Sequence, residues 1–495
     1  MNVLLINPNS SLINKSWGYK KFFTPIAPLG LAYIASILEK NHIDVAILDQ
    51  FATKAQDREL LDLIKTQRPN VIGFAAFTPI MPDIKRLTCS IREISPASKI
   101  VLGNIHASIF AEELLAEGIA DIVVRGEGEL TMLELCQRLS RNEALTGLPG
   151  ISFKFDGQVI RNPDRQLVND LDSLPFPAWH LLNPDRYTEV PLAAIKKTRA
   201  FPILASRGCT HRCYYCSQDK VYDRVRYRDL SKVVDEMDYF YNNMGIKIFG
   251  FSDAYFPFDE DSGLKFCELI KGRKLHNKIK WCTETRVDKV TGRLLKAMKE
   301  AGAHLVMYGI EVGNSKVLNS LNKGTTLEQA RTALKETRRA GVLSMGLFIL
   351  GLPGETVETC RDTINFAKEL DCDIVKFNIA TPYPGSRFFQ DHVTSGSLNK
   401  PEMFTSWYDW LSSSGELVYV PEGMTSADLR NIQRKGMLAF YLRPKVIIRH
   451  ILKHTISYRN IFLGGVWLIS LCLTRALVKL RGICKGVLDK EQDGI

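Results

Sequence analysis

The stretch Ser206-Arg-Gly-Cys209-Thr-His-Arg-Cys213-Tyr-Tyr-Cys216-Ser217 carries three cysteines at the spacing Cys-x-x-x-Cys-x-x-Cys. A structural zinc site or a closed iron–sulfur cluster takes four protein ligands. Three close thiolates, with no fourth nearby in sequence, suit a cubane cluster whose remaining iron stays open to a small molecule. Two other readings of the same residues are three buried structural thiols and a zinc ion completed by His211. Neither explains why thiols gather at ligand spacing on a loop that contains Gly208, since buried structural cysteines have no such spacing requirement.

Just upstream, Phe201-Pro-Ile-Leu-Ala205 reads as a strand, which puts the three-cysteine loop at a strand C-terminal end, where barrel folds hold their chemistry. Five more strand candidates follow, at 247–252, 281–285, 305–310, 344–350 and 374–380, with helical stretches between them. Six such units predict an open six-unit β/α barrel over residues 196–395. Its strand ends carry Asp253, Glu284 with Arg286, Glu311, the run Gly351-Leu-Pro353-Gly354-Glu355, and Thr381-Pro-Tyr-Pro-Gly385. Asp253 reads either as a substrate contact or as a structural hydrogen-bonding group, and Arg286 either as a ligand contact or as a salt bridge in the barrel mouth. The remaining thiols, among them Cys89, Cys136, Cys267 and Cys282, stand singly, so no second cluster is expected.

Residues 1–145 alternate short β-branched runs (3–6, 44–48, 70–75, 99–103, 121–125) with helical stretches near 30–41, 56–67, 82–95, 109–118 and 128–141. Five strands in this rhythm predict a doubly wound, Rossmann-like parallel sheet with its ligand site beyond the strand C-termini. Three loops occupy those ends: Pro28-Leu29-Gly30, Gly103-Asn104-Ile-His106 and Arg125-Gly126-Glu127-Gly128-Glu129. Glycine lets backbone approach a ligand closely, and residues opening a helix present free N–H groups. His106 reads more simply as a loop or cap residue than as a metal ligand. Residues 146–195 read as a connector, with an Asp156-Gly157 hairpin turn and two prolines, Pro175 and Pro177, that set an extended path.

Hydrophobic content of 45% and charged content of 24% over 495 residues are ordinary for a globular chain of two or three domains. Eleven cysteines without an extracellular pattern point to a reducing compartment, and Met1-Asn-Val-Leu-Leu-Ile-Asn7 enters a strand directly, without a basic leader, so a cytoplasmic protein is expected. The net charge of +11 is local: residues 430–485 hold twelve Lys and Arg and no Asp or Glu, leaving the rest of the chain close to neutral. Within that basic helical extension (396–495), the uncharged stretch 460–474 spans fifteen residues, short of the roughly 20 that cross a bilayer. Flanking cations and Trp467 suit a helix lying on an anionic membrane face, and packing against the barrel is the alternative. The charges interleave with aliphatics and no nucleic-acid motif accompanies them, so no nucleic-acid partner is expected.

The three-cysteine loop resembles the signature of the radical S-adenosylmethionine (SAM) enzymes, and Tyr215 fits the aromatic position that precedes the third cysteine in that family. The preceding domain resembles the cobalamin-binding domain found N-terminal to many of them, most closely at Pro28-Leu29-Gly30-Leu31-Ala32 and Arg125-Gly126-Glu127-Gly128-Glu129. The resemblance covers roughly residues 1–450. It implies a [4Fe-4S] cluster on Cys209, Cys213 and Cys216, whose open iron takes the amine and carboxylate of SAM. It carries Glu311 to the SAM ribose and Gly351-Leu-Pro353-Gly354 to the adenine, with Tyr215 and Arg286 also at the SAM site. It assigns Pro28, Leu29, Gly30, Asn104, His106, Gly126, Glu127 and Gly128 to cobalamin. Two departures stand out. Val312 occupies a place where relatives often have Ser, and the Asp-x-His-x-x-Gly motif that supplies a lower axial His in many cobalamin domains is missing. The implied activity is methyl transfer to an unactivated carbon, by way of a 5′-deoxyadenosyl radical and methylcobalamin. Oxidative ring formation, as in anaerobic porphyrin-ester cyclases, and a non-catalytic cobalamin or SAM sensor are the alternatives. Retention of all three cysteines and Glu311 speaks against the sensor. Implied partners are a small-molecule or lipid-like substrate and a low-potential electron donor such as a flavodoxin or ferredoxin.

Overall fold

Alternating aliphatic side chains decide the first sheet. In the computed structural model, which describes residues 1–10, 25–188, 198–396 and 417–452, Leu4 and Ile6 join one core with Ile72, Phe74, Ile100 and Leu102. Val3 and Leu5 face the opposite core with Val71, Val101 and Val124. Burial on both faces is what a parallel sheet covered by helices on each side demands. The elements are β1 (Asn2–Asn7), α1 (Leu29–Lys40), β2 (Asp44–Asp49), α2 (Asp57–Gln67), β3 (Val71–Ala75), α3 (Met81–Ile94), β4 (Lys99–Gly103), α4 (Ile105–Ile109), α5 (Ala111–Ala116), β5 (Ile122–Val124) and α6 (Glu129–Ser140). Strands β1–β5 are parallel. The hairpin read from sequence as part of a connector, β6 (Ile151–Phe155) and β7 (Gln158–Arg161), extends this sheet antiparallel to β5, giving the order β2-β1-β3-β4-β5-β6-β7. Its turn has positive φ at both Asp156 (46°) and Gly157 (80°), the geometry the Asp-Gly pair favours.

The second sheet contains β8 (Ala200–Ile203), β11 (Ile248–Phe251), β12 (Lys280–Thr285), β13 (Ala303–Glu311), β14 (Leu343–Leu350) and β15 (Ile374–Ile379). All neighbours are parallel, in the order β8-β11-β12-β13-β14-β15, and β15 does not pair with β8, so the barrel is open. The longer crossover helices are α7 (Leu230–Met244), α8 (Glu260–Gly272), α9 (Gly292–Glu300), α10 (Leu327–Ala340) and α11 (Val357–Leu370). Their starts are fixed by side-chain caps, such as the capping box of Thr326 with Gln329 on α10. Two short antiparallel segments, β9 (Ser206–Arg207) and β10 (Arg226–Tyr227), bracket the three-cysteine loop.

Beyond β15 come α12 (Arg387–Thr394), α13 (Ser426–Tyr441) and α14 (Pro444–Leu452). Helix α13 covers the open edge: Gln433 donates to the Phe377 carbonyl at 2.7 Å, and the Tyr441 hydroxyl accepts from Val375 N and donates to Val375 O. Capping an edge strand in this way removes a surface open to aggregation. Helix α14 is tethered through Arg449, Lys445 and Arg443, which converge on Asp371 at 2.6, 3.3 and 3.5 Å. Burial works against that carboxylate, but Arg449 and Lys445 hold its pKa below the usual range. Three of the cations expected at a membrane face therefore serve an internal tether. The uncharged stretch and Trp467 lie outside the described residues, and no described helix is long and apolar enough to cross a membrane.

Candidate active site at the facing strand ends

The cysteine loop leaves β9 through Gly208, whose φ is +97° and whose added Cβ would lie 2.4 Å from the Arg224 carbonyl oxygen. Only glycine fits that crossing. Cys209, Cys213 and Cys216 follow as free, partly accessible thiols. A turn bond from Cys216 N to Cys213 O and an N–H from His211 to Cys209 Sγ shape the loop. It is strapped on both sides, by Tyr214 N to Leu321 O at 2.9 Å and by Phe388 N to Tyr214 O at 3.0 Å. Among the described residues, no three His, Cys, Asp or Glu side chains converge as ligands of a single metal ion. A cubane distributes its thiolates over separate irons and needs no such convergence, so three accessible thiols on one loop are a donor set that fits it.

Facing the loop, the Tyr215 hydroxyl donates to Glu311 Oε1 at 2.8 Å, and Lys323 pairs with the same oxygen. Glu311 closes β13 with a positive φ of 69°, at a break in register with β14. Such strain in a non-glycine residue is held by its surroundings and gathers at functional sites. Burial, reinforced by the Glu311 charge, raises the Tyr215 pKa well above its ordinary value, so the phenol stays a donor. Arg286 forks onto Asp288 at 2.9 and 3.0 Å and donates to the Lys323 carbonyl at 3.0 Å, so it braces the segment that carries Lys323. Gly351 has φ +84°, and its Cα side is covered by Leu429 of α13; Gly354 has φ +78° and open space. Between them the Glu355 carboxylate accepts from Gly351 N (2.7 Å) and Leu352 N (2.8 Å), fixing the turn, while burial lifts its pKa to about 7. Asp253 accepts from Ala205 N at 3.1 Å and Ser206 Oγ at 2.6 Å, and burial lifts it to about 7 as well. Of its two sequence readings, the structure shows the hydrogen-bonding one.

On the first sheet, Gly30 and Gly126 (φ +70°) both border open space. Asn104 has φ 85° and caps α4 through its side chain, at 2.6 Å from Ile105 N. His106 is fully buried, with Nδ1 2.9 Å from Thr78 Oγ1 and its ring against Phe110; burial pushes its pKa down to about 3. Gly128 packs helix on helix, its Cβ position 2.9 Å from Ile34. Glu127 turns away from the open edge and binds Arg207 at 2.8 Å and Arg226 at 2.8 Å, while Glu129 binds Arg207 at 2.6 Å. Ile26 and Phe77 on this edge, and Tyr383 after β15, are large apolar side chains left exposed.

These edges meet. A Cβ on Gly385, in the loop after β15, would sit 2.8 Å from Ile109 of α4 and 3.3 Å from Ser217 beside Cys216. Phe389 of α12 enters the core of the first domain, edge-on to Phe110 at 6.2 Å. The C-terminal end of a nucleotide-fold-like sheet thus borders a three-thiol loop at the mouth of an open parallel barrel. Fold and site together define a radical SAM core joined to a Rossmann-like cofactor domain.

Comparison with known proteins agrees. Residues 203–367 match the radical SAM superfamily and residues 20–136 match the B12-binding domain. The chain is 33% identical to an uncharacterized methyltransferase of Pyrococcus horikoshii, over 91% of this chain and 95% of that protein. It is 30% identical to the anaerobic magnesium-protoporphyrin IX monomethyl ester cyclase of Rubrivivax gelatinosus, over 79% and 70%. The radical SAM methyltransferase TsrM from Kitasatospora setae, solved with cobalamin and a [4Fe-4S] cluster, superposes with a TM-score of 0.69 at 20% identity, over 87% of this chain and 91% of that one. The protein belongs to the radical SAM enzymes that carry a B12-binding domain.

Sequence reading missed Lys323, Arg207 and Arg226. For Arg207 and Arg226 a signal existed, two arginines flanking the cysteine loop, but their acidic partners lie in the other domain.

Proposed function

We propose that this enzyme transfers a methyl group to an unactivated carbon of a small-molecule substrate. The observation that carries the reading is the contact at Gly385, where α4 of the B12-binding domain and the cysteine loop touch one short segment. A methyl carrier on the first edge and a radical source on the second then address one space. The methyltransferase relative, matched over nearly its full length, supports the same reading.

Bound there, the cluster, SAM and cobalamin supply reductive SAM cleavage to a 5′-deoxyadenosyl radical and a transferable methyl group. The chain supplies placement. Cys209, Cys213 and Cys216 would hold the cluster through their thiolates. Glu311, paired with Lys323, would accept from the ribose hydroxyls, while Tyr215 and the turn Gly351-Leu-Pro353-Gly354 would border the adenine and Arg286 fixes the Lys323 segment. Pro28, Leu29, Gly30, Asn104 and Gly126 offer cobalamin an open, backbone-rich edge. Gly128 and Glu127 support it from behind, by packing and by the tie to Arg207. His106, hydrogen-bonded to Thr78, would support the edge as a buried neutral residue rather than as a ligand.

An anaerobic assay with methyl-deuterated SAM, a low-potential flavodoxin or ferredoxin as donor, and candidate substrates tests the function. Deuterated methyl in the product together with 5′-deoxyadenosine supports it. A ring-closed or oxidised product without the label establishes the cyclase chemistry of the Rubrivivax relative instead. The eleven cysteines, nine of them described as free thiols, support work in a reducing cytoplasm. The exposed aliphatic face of α14 supports peripheral contact with a membrane's inner face.

A further inference from the structure

The barrel lumen holds two charged side chains that the assignments above leave unused. On β15 the outward residues Val375 and Phe377 enter the core under the helices, so the alternating Ile374, Lys376 and Asn378 point inward. On β12 the same alternation sends Trp281 outward and Cys282 and Glu284 inward, where Cys282 meets Leu305, Met345 and Ile374 at the closed end. Lys376 pairs in register with Leu347, and Glu284 with Met307, so both charges stand just above that apolar floor.

Both keep accessible surface, yet protein atoms crowd them enough for burial to lower the Lys376 pKa and raise that of Glu284. Accessible and surrounded at once is the condition of a group facing a lumen. Each feels the other's charge, but among the described residues neither has a hydrogen bond or an ion-pair partner within 4.0 Å. A gap therefore separates an amine on one wall from a carboxylate on the facing one. A cavity of about 250 Å³ opens above Lys376, lined also by Ile349, Asn378, Thr381, Tyr383 and Tyr215, the neighbour of Cys216.

We propose that Lys376 makes this lumen select a small acid: an anionic head at Lys376, with an apolar body on Met307, Leu347 and Ile349, reaching toward the cysteine loop. The carboxylate of Glu284 stands on the facing strand, outside the residues that line this cavity, and disfavours a second anion deeper in the lumen. An unpaired amine in an enclosed site is the arrangement that binding a carboxylate or phosphate best satisfies, because a charge-assisted bond replaces lost hydration. This names the substrate class for the methyl transfer proposed above and rests on that reading for its place in the reaction.

The test uses the reconstituted full-length enzyme, with hexanoate, hexylamine and 1-hexanol as matched probes followed by calorimetry. Hexanoate should bind at least tenfold more tightly than the other two. Lys376→Met should abolish that preference and Lys376→Arg should keep it, with SAM affinity unchanged in both. Preference for hexylamine, no binding of hexanoate, or an unaltered preference in Lys376→Met overturns the proposal. So does a parallel loss of SAM affinity, which assigns Lys376 to SAM. In the same samples, 5′-deoxyadenosine formed under reducing conditions reports on the radical chemistry separately: its absence with probe selectivity intact removes the reaction and leaves the acid pocket.

Discussion

Arg207, two residues before the first cluster cysteine, reaches across the domain boundary to Glu127 at 2.8 Å, with both side chains more than nine-tenths buried. Arg226, on the strand that pairs with β9, grips the same carboxylate, and Glu129 takes the other arm of Arg207. The three-cysteine loop and the loop that ends β5 of the B12-binding domain are thereby one buried ionic unit. The spacing between the three-cysteine loop and the B12-binding domain is thus set by paired side chains.

Breaking this unit from one side leaves buried charges uncompensated. Glu127→Gln should destabilise the protein by about 3–5 kcal/mol, read from the urea midpoint. Its pH dependence follows from the shifted carboxyl. Burial opposes the charge, but Arg226 and Arg207 outweigh it and hold the pKa below 4.5. The stabilisation is therefore complete above the unfolded-state value near 4.5 and is lost as pH falls through the lower folded value. A urea midpoint for Glu127→Gln equal to wild type at pH 7 would exclude this role.

Glu355 behaves in the opposite sense. Its folded pKa, raised from 4.5 to about 7, makes the native state hold a proton that the unfolded chain releases. Stability should fall as pH rises from about 4.5 to about 7, by on the order of 2–3 kcal/mol. Glu355→Gln keeps an acceptor for Gly351 N and Leu352 N and should flatten that slope. Unfolding free energies measured at pH 5 and pH 8 for both proteins decide it.

Cys209, Cys213 and Cys216 should hold one four-iron cluster, and replacing any of them by Ala should remove most cluster absorbance and all SAM cleavage. Iron analysis after anaerobic reconstitution should give about four irons per chain, and about eight would contradict a single cluster.

Glu311 and Lys323 should act as a pair. Glu311→Gln and Lys323→Met should each weaken SAM binding roughly 10–100-fold, the loss expected when a bond to a charged group is removed. The double variant should be little worse than either single one, because groups that work through one another are not additive. Fully additive losses would mean that Lys323 contacts SAM independently.

Much of this was legible in the sequence because parallel strands buried on both faces write themselves as aliphatic runs. Val3–Ile6, Lys99–Gly103 and Ser344–Leu350 fall on β1, β4 and β14. Glycine was a weaker guide. Gly30 and Gly126 border open space as a cofactor loop requires, whereas the neighbouring Gly128 serves packing against Ile34; identical local sequence signals cover both. Glu127 read as a ligand-loop residue because its partners Arg207 and Arg226 lie 80 and 99 residues away. The hairpin at 151–161 was recognisable from Asp156-Gly157, but its docking on β5 depends on an edge that only the assembled sheet presents.

The last prediction concerns α14. Leu442, Ile447, Ile448, Ile451 and Leu452 are exposed, Leu452 at 74%, immediately before the basic segment that includes the uncharged stretch 460–474. Arg443, Lys445 and Arg449 are engaged with Asp371, so attraction to anionic lipid falls to Lys453, Arg459, Arg475, Lys479, Arg481 and Lys485. Full-length protein should sediment with phosphatidylglycerol vesicles at low salt, through Phe462, Trp467, Leu468 and Leu471 entering the interface, and should release as salt rises, since exposed charges are screened over about 8–10 Å. Removal of residues 456–495 should abolish sedimentation with the cluster intact. Ile448→Glu should weaken it several-fold, because a carboxylate on the apolar face opposes both burial and the lipid charge. Equal sedimentation with neutral and anionic vesicles would show that the cations play no part, and no sedimentation at low salt would leave the segment packed on the protein.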